Sequence, residues 1–152
     1  MRVLGVDYGT KRIGLALSDP EGIIASPMKA LEVKDLPSAA EEIAVIAKER
    51  DVNTIVIGLP RNMDGTLGEK AQEALAFLDM LLERTHLVVV PWDERLSSAF
   101  AERALRETHM SKKKRKKRVD MIAAQVILQG YLDSQKHAAA QAAQAPKAEE
   151  QG

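Results

Sequence analysis

The sequence contains no cysteine, so disulfides and thiolate metal sites are excluded, and a bound ion must be held by oxygen or imidazole. That favours hard cations such as Mg²⁺ or Mn²⁺. Histidine is scarce too, and His86, His109 and His137 form no cluster with ligand spacing. Long hydrophobic runs are absent. The uncharged stretch Met121 to Leu132 is well short of the roughly 18 apolar residues that suggest a membrane span. At the N-terminus, Val3-Leu4-Gly5-Val6 stops at Asp7 before a signal-peptide core can form. A cytoplasmic protein with no membrane partner is expected. Trp92 is the only tryptophan; it could stack on a base, but packing at a strand end is the more economical use.

Net charge is lacking as well: 22 basic residues balance 22 acidic ones. The balance conceals an asymmetry, because Lys112-Lys113-Lys114-Arg115-Lys116-Lys117-Arg118 is an unbroken basic run. Without these residues the chain is strongly acidic. Such a segment attracts a polyanion through phosphate contacts and counterion release, although a solvated charged loop is its ordinary explanation. The 152 residues, 45% apolar and 29% charged, suit one soluble domain with one core.

Arg2 to Asp7 and Ile13 to Ser18 read as strands joined by the turn Tyr8-Gly-Thr-Lys-Arg12, an antiparallel hairpin. Ser26 to Val33 supplies a third strand, with Pro27 suited to its start or to a sheet edge. Leu36 to Arg50 reads as an amphipathic helix capped by Asp35, with Ile43, Ile46 and Ala47 on one face. Thr54 to Ile57 is a buried strand, Leu67 to Arg84 a helix, and Leu87 to Val90 another buried strand. Further helices are expected from Ser97 or Ser98 to about Glu107 and from Val119 to Asp133. The order, a hairpin followed by β-α alternation, describes an α/β protein: a mixed five-stranded sheet with helices on both faces. The domain should occupy residues 1–136, with 137–152 a disordered or frayed tail.

Three acids stand at informative places. Asp7 ends the first strand, Glu94 follows the last, and Asp120 opens the final helix. Asp7 and Glu94 would meet at the carboxyl ends of the strands if the first and fifth strands are parallel neighbours. Three clustered carboxylates repel one another unless divalent ions join them. Two ions roughly 3.5–4 Å apart are the arrangement of two-metal phosphodiester hydrolysis. Each acid also has a structural explanation: a turn at Asp7, a pair with Arg95 at Glu94, a helix-start acid at Asp120. Asp93 would point away from its neighbour on a strand, as a surface or supporting residue. Gly5, Gly9 and Gly14 surround the first acid, where turn geometry explains them better than close approach of a phosphate or metal. Thr10, Lys11 and Arg12 can donate to phosphate from the turn.

Four segments together, Val6-Asp-Tyr-Gly-Thr-Lys-Arg-Ile-Gly14, Gly58-Leu-Pro-Arg-Asn-Met-Asp-Gly65, Asp93-Glu-Arg-Leu-Ser97 and Arg118-Val-Asp-Met-Ile-Ala-Ala124, resemble the YqgF/RuvX family over nearly everything except the tail. The resemblance implies a ribonuclease-H-like fold related to Holliday-junction resolvases, and a nuclease that matures the 5′ end of precursor 16S ribosomal RNA. It implies that Asp7, Glu94 and Asp120 form the acidic site, that Arg95 and Ser97 lie beside it, and that Asn62 contacts substrate. The uninterrupted basic run departs from the glycine-containing stretch common before the last acid in this family.

The leading expectation is thus a metal-dependent endonuclease using Mg²⁺ or Mn²⁺, acting on structured RNA such as precursor rRNA, on its own or in ribosomal particles, as a monomer or homodimer. Resolution of four-way DNA junctions would use the same acids. A binding protein that keeps the fold without activity is a third reading. Asp7-Tyr-Gly-Thr10 also resembles the first phosphate loop of actin-like ATPases and sugar kinases, but those enzymes close two such domains around a nucleotide.

Overall fold

The computed structural model describes residues 1–60, 67–93 and 112–144, with side chains placed for all of these except 112–117 and 143–144. Strands β1 (Arg2–Asp7), β2 (Arg12–Ser18) and β3 (Ala25–Glu32) are followed by helix α1 (Leu36–Glu49). Then come β4 (Val52–Leu59), α2 (Glu69–Arg84), β5 (Val88–Asp93) and α3 (Lys112–Gln144). The helix expected between Ser97 and Glu107 lies outside the described residues.

The strands form one sheet in the order β3-β2-β1-β4-β5. β1, β2 and β3 pair antiparallel, while β4 is parallel to β1 and β5 parallel to β4. This is the expected mixed five-stranded sheet, with one correction: β1 and β5 are parallel but not neighbours, because β4 stands between them. The β1–β4 and β4–β5 connections carry α1 and α2, as parallel crossovers require. β5 is also an edge strand rather than a buried one, with Val88 61% exposed. Pro91 sits opposite Ile57, and a residue without an N–H is tolerated on a strand with one free edge. At the other edge, Pro27 of β3 falls where the β2–β3 register shifts.

Side chains alternate across the sheet. Leu4, Val6, Ile13, Leu15, Ile55 and Ile57 face α1 and α2, burying Ala40, Ile43, Ala47, Phe77 and Leu81 in the main core. On the opposite face Ala16 and Ala25 pack against Ala124, Leu128 and Leu132 of α3. Helices therefore cover both faces. Fully burying each large aliphatic side chain contributes about 1.5–3 kcal/mol, and the main core holds most of them. α1 starts as its sequence dictates: the Asp35 carboxylate accepts the Ser38 backbone N–H at 2.8 Å, with proline in the first turn.

α3 departs from expectation at both ends. It begins at Lys112, so the basic run is helical rather than a loop, and Asp120 lies beyond the second turn instead of opening the helix. Lysine and arginine are good helix formers, and no glycine or proline interrupts the segment. At the other end α3 continues through His137 to Gln144, into the segment expected to be disordered or frayed.

Candidate active site

Two glycines bring α3 onto the sheet. A Cβ on Gly5 would come within 2.7 Å of the Leu128 Cβ and 3.0 Å of the Ala124 carbonyl. A Cβ on Gly14 would collide with the Asp120 carbonyl. Gly5 and Gly14 thus serve helix–sheet contact, a purpose that neither turn geometry nor ligand approach anticipated. Gly9 does belong to the turn, where a Cβ would strike the Arg12 carbonyl.

Asp7 is paired in register with Gly14 across the β1–β2 ladder. The same glycine lies under Asp120, so the two acids converge from a strand end and a helix onto one spot. Asp7 is 9% exposed. Asp120 is held from β2: the Arg12 Nε donates to one of its carboxylate oxygens at 2.8 Å. The pair is partly buried, with side chains 29% and 22% exposed.

A cleft of about 380 Å³ opens above the acids, lined by Asp7, Tyr8, Gly9, Thr10, Lys11, Arg12, Pro60, Lys70, Glu73 and Asp120. It lies at the carboxyl ends of β1 and β4, where open α/β sheets bind ligands. Thr10 and Lys11 line it from the β1–β2 turn, as expected, whereas Arg12, expected to donate to phosphate from that turn, is the first residue of β2 and donates to Asp120 instead. Pro60, Lys70 and Glu73 were not anticipated. They arrive because Ala71 and Ala74 of α2 pack with Leu59 and Tyr8, and Tyr8 lies against Phe77 with ring centroids 5.3 Å apart. This docking sets the first turns of α2 at the rim. Burial, reinforced by the negative charge of Glu73, raises the Tyr8 phenol above its ordinary pKa.

Glu94, Asn62, Arg95 and Ser97 lie outside the described residues. Of Lys112 to Arg118, the backbone is the opening of α3, and Arg118 is exposed. Asp93 ends β5, exposed and on the same face as Val89, which packs into the main core. That is the face opposite Asp7 and Gly14, in keeping with a surface or supporting place. Trp92 packs edge-on against Tyr131 of α3, ring centroids 5.7 Å apart. Its use is packing.

Among the described residues no group of three His, Asp or Glu side chains is close enough to hold one ion, so Glu73 does not complete a triad with Asp7 and Asp120. The two aspartates nonetheless provide oxygen donors in one half-enclosed cleft, and this donor set fits a hard divalent cation. Among the described residues no helix is long and apolar enough to cross a membrane.

The sheet order, the helices on both faces and an acidic cleft at the strand ends define a ribonuclease-H-like domain of the resolvase kind. Solved structures with this fold include Thermus thermophilus RuvC in complex with a Holliday junction, with a TM-score of 0.53, 14% identity and coverage of 90% of this chain and 96% of that one. The fowlpox virus resolvase bound to Holliday junction DNA aligns with a TM-score of 0.50 and 12% identity, over 88% of this chain and 98% of that one. The chain belongs to the RuvX family, whose model, described as Holliday junction resolvase, matches residues 1–134. A relative from Clostridium botulinum, named as a candidate pre-16S rRNA nuclease, is 46% identical over 88% of this chain and 98% of its own length. One of the same name from Clostridioides difficile is 46% identical over 87% of this chain and 94% of its own.

Proposed function

We propose that this protein is a divalent-metal-dependent endonuclease that hydrolyses phosphodiester bonds in the maturation of the 5′ end of precursor 16S rRNA, with residues 1–136 as the nuclease domain. The observation that carries the reading is the convergence of Asp7 and Asp120 on one cleft through Gly14, in a chain whose relatives are named for that substrate. Asp7 and Asp120 hold Mg²⁺ or Mn²⁺, and Glu94 is assigned as the third ligand. When bound there, such a cation would supply Lewis-acid stabilisation of charge on phosphate and on an attacking water.

The chain's own groups do the positioning. Arg12 occupies one oxygen of Asp120 and fixes the carboxylate's direction. It also places a permanent cation beside Asp120, in the cleft that Asp7 lines, which offsets part of the repulsion between the acids. Thr10 and Lys11 contact substrate phosphate at the cleft, and Lys112 to Arg118 hold the backbone further out. Asn62, Arg95 and Ser97 are assigned to substrate. No side-chain nucleophile is required.

A second substrate, four-way DNA, is favoured by the description of the family model. The test is cleavage of matched precursor rRNA, free and in ribosomal particles, and of four-way DNA, with Mg²⁺ or Mn²⁺, by the native protein and by Asp7→Asn. Cleavage that disappears in the variant while binding persists is the expected result, and the better substrate distinguishes rRNA maturation from junction resolution. Binding without metal-dependent cleavage of any of these would mean a nucleic-acid-binding protein that has kept the fold alone.

A further inference from the structure

The cleft has a cation that the proposed reaction leaves without a task. Lys70 lies in the first turn of α2 and lines the same cleft as Asp7, Lys11 and Asp120. Arg12, the guanidinium of the site, is committed to Asp120 at 2.8 Å. Lys70 has no such commitment, since no hydrogen bond or ion pair holds its ammonium among the described residues. Its position is also poor for the helix. A cation in the first turn opposes the macrodipole, and only Glu69 offers compensating charge there. The cap residue Gly68 has no side chain to satisfy the first N–H groups. An uncapped helix start carrying a lysine is electropositive on both counts, and here it borders an acidic cleft that must admit a polyanion.

We infer that Lys70 is a backbone-phosphate contact, and that nucleic acid crosses the carboxyl-end edge of the sheet from the start of α2 to the start of α3. The inference rests on the proposed nuclease reading. Its geometry follows from the layers: α2 packs on the face of Leu4 and Val6, whereas α3 packs on the face of Ala16. Lys70 and the basic opening of α3 therefore belong to opposite layers. A strand touching both passes over the ends of β1 and β4, directly above Asp7 and Asp120. Lys11, exposed in the β1–β2 turn, lines the same cleft. Glu73, one turn further along α2 and partly buried in the cleft, keeps the wall inside Lys70 negative, so phosphate is directed to the rim.

The contact reads no base, so its loss should weaken binding equally across sequences. Anisotropy titrations in EDTA with a labelled four-way DNA junction and a labelled duplex RNA, over 50–200 mM salt, test this with the native protein, Lys70→Ala and Lys70→Arg. Removing one phosphate contact lowers the magnitude of the log–log salt slope by about 0.9 on duplex DNA. Over a fourfold change in salt, the native protein should thus lose about 3.5-fold more affinity than Lys70→Ala, and Lys70→Arg should restore the native slope. Alanine is the best helix former, so the variant's circular dichroism should be unchanged. A native slope and affinity in Lys70→Ala would overturn the inference while leaving the nuclease reading intact. Failure of the native protein to bind either probe would overturn the inference, whereas the nuclease reading falls only if precursor rRNA in ribosomal particles is also left uncut.

Discussion

The backbone of Asp120 rests on Gly14: a Cβ at that glycine would collide with the Asp120 carbonyl and reach within 3.1 Å of the Asp120 Cβ. Because Gly14 is also the register partner of Asp7, one small residue sets the spacing of the two acids. Gly14→Ala should force α3 away from β2. The obstacle is backbone rather than a flexible side chain, so the change belongs near the upper end of the roughly 1–3 kcal/mol typical of overpacking. Urea denaturation should show that loss. Cleavage should fall further than stability explains when measured well below the unfolding midpoint. Full activity in a folded Gly14→Ala protein would mean that Asp120 does not need its observed place.

The Arg12–Asp120 pair ties the start of β2 to α3 across 108 positions of sequence. Both side chains are less than one-third exposed, so the pair should be worth somewhat more than a surface bridge, about 1 kcal/mol. Arg12→Ala should lose that amount. Arg12→Lys should lose less, keeping the charge but not the Nε donor. Part of the contribution is Coulombic, so the difference between native and Arg12→Ala midpoints should narrow in 1 M salt. Equal midpoints in low salt would show that the pair contributes nothing to holding α3.

What was legible in the sequence follows from how far each signal reaches. The β1–β2 hairpin, α1 and its Asp35 cap are written in a few adjacent residues, and the structure has them nearly to the residue. Gly5 and Gly14 were legible as glycines but not in purpose, because what each must admit, Leu128 or Asp120, is more than a hundred residues away. Periodicity gave β5 as a strand but could not place it at the edge, although Pro91 was a local hint. The helical start of α3 was obscured because a basic run has no apolar face to count. Lys70 and Glu73 were missed since only the docking of Ala71 and Ala74 brings them to the cleft. The one available signal was a lysine in a helix's first turn.

The Asp35 cap should make α1 weaker in acid. Hydrogen bonds from Ser38, side chain first and backbone second, lower the Asp35 pKa. A carboxylate lowered on folding contributes stability that is present above its unfolded value, about 3.9, and is lost as pH falls through its lower folded value. Asp19, lowered by the backbone N–H groups of Ile24 and Ile23, behaves the same way, so overall acid sensitivity does not isolate Asp35. The difference between native protein and Asp35→Asn does. Asparagine still caps but cannot titrate, so any advantage of the native protein at pH 7 should shrink below pH 4. Urea midpoints at pH 7 and pH 3 measure it, and a constant difference would exclude the charged cap.

The helical backbone of Lys112 to Arg118 makes the basic run directional. At 3.6 residues per turn, Lys112, Arg115 and Lys116 fall on one side of the axis, whereas Lys113, Lys114 and Lys117 fall on the other. A nucleic acid lying over the start of α3 can meet only one side. Replacing one trio by glutamine should therefore flatten the salt slope of binding by about 2–3, at roughly 0.9 per lost phosphate contact, and replacing the other by less than 1. Glutamine is nearly as good a helix former as lysine, so helix content is preserved. In the same titrations, equal small changes from both trios would mean that the run acts as a diffuse cloud of charge. Unequal ones would give the face of α3 that carries the backbone, and with it the direction in which the strand leaves the cleft.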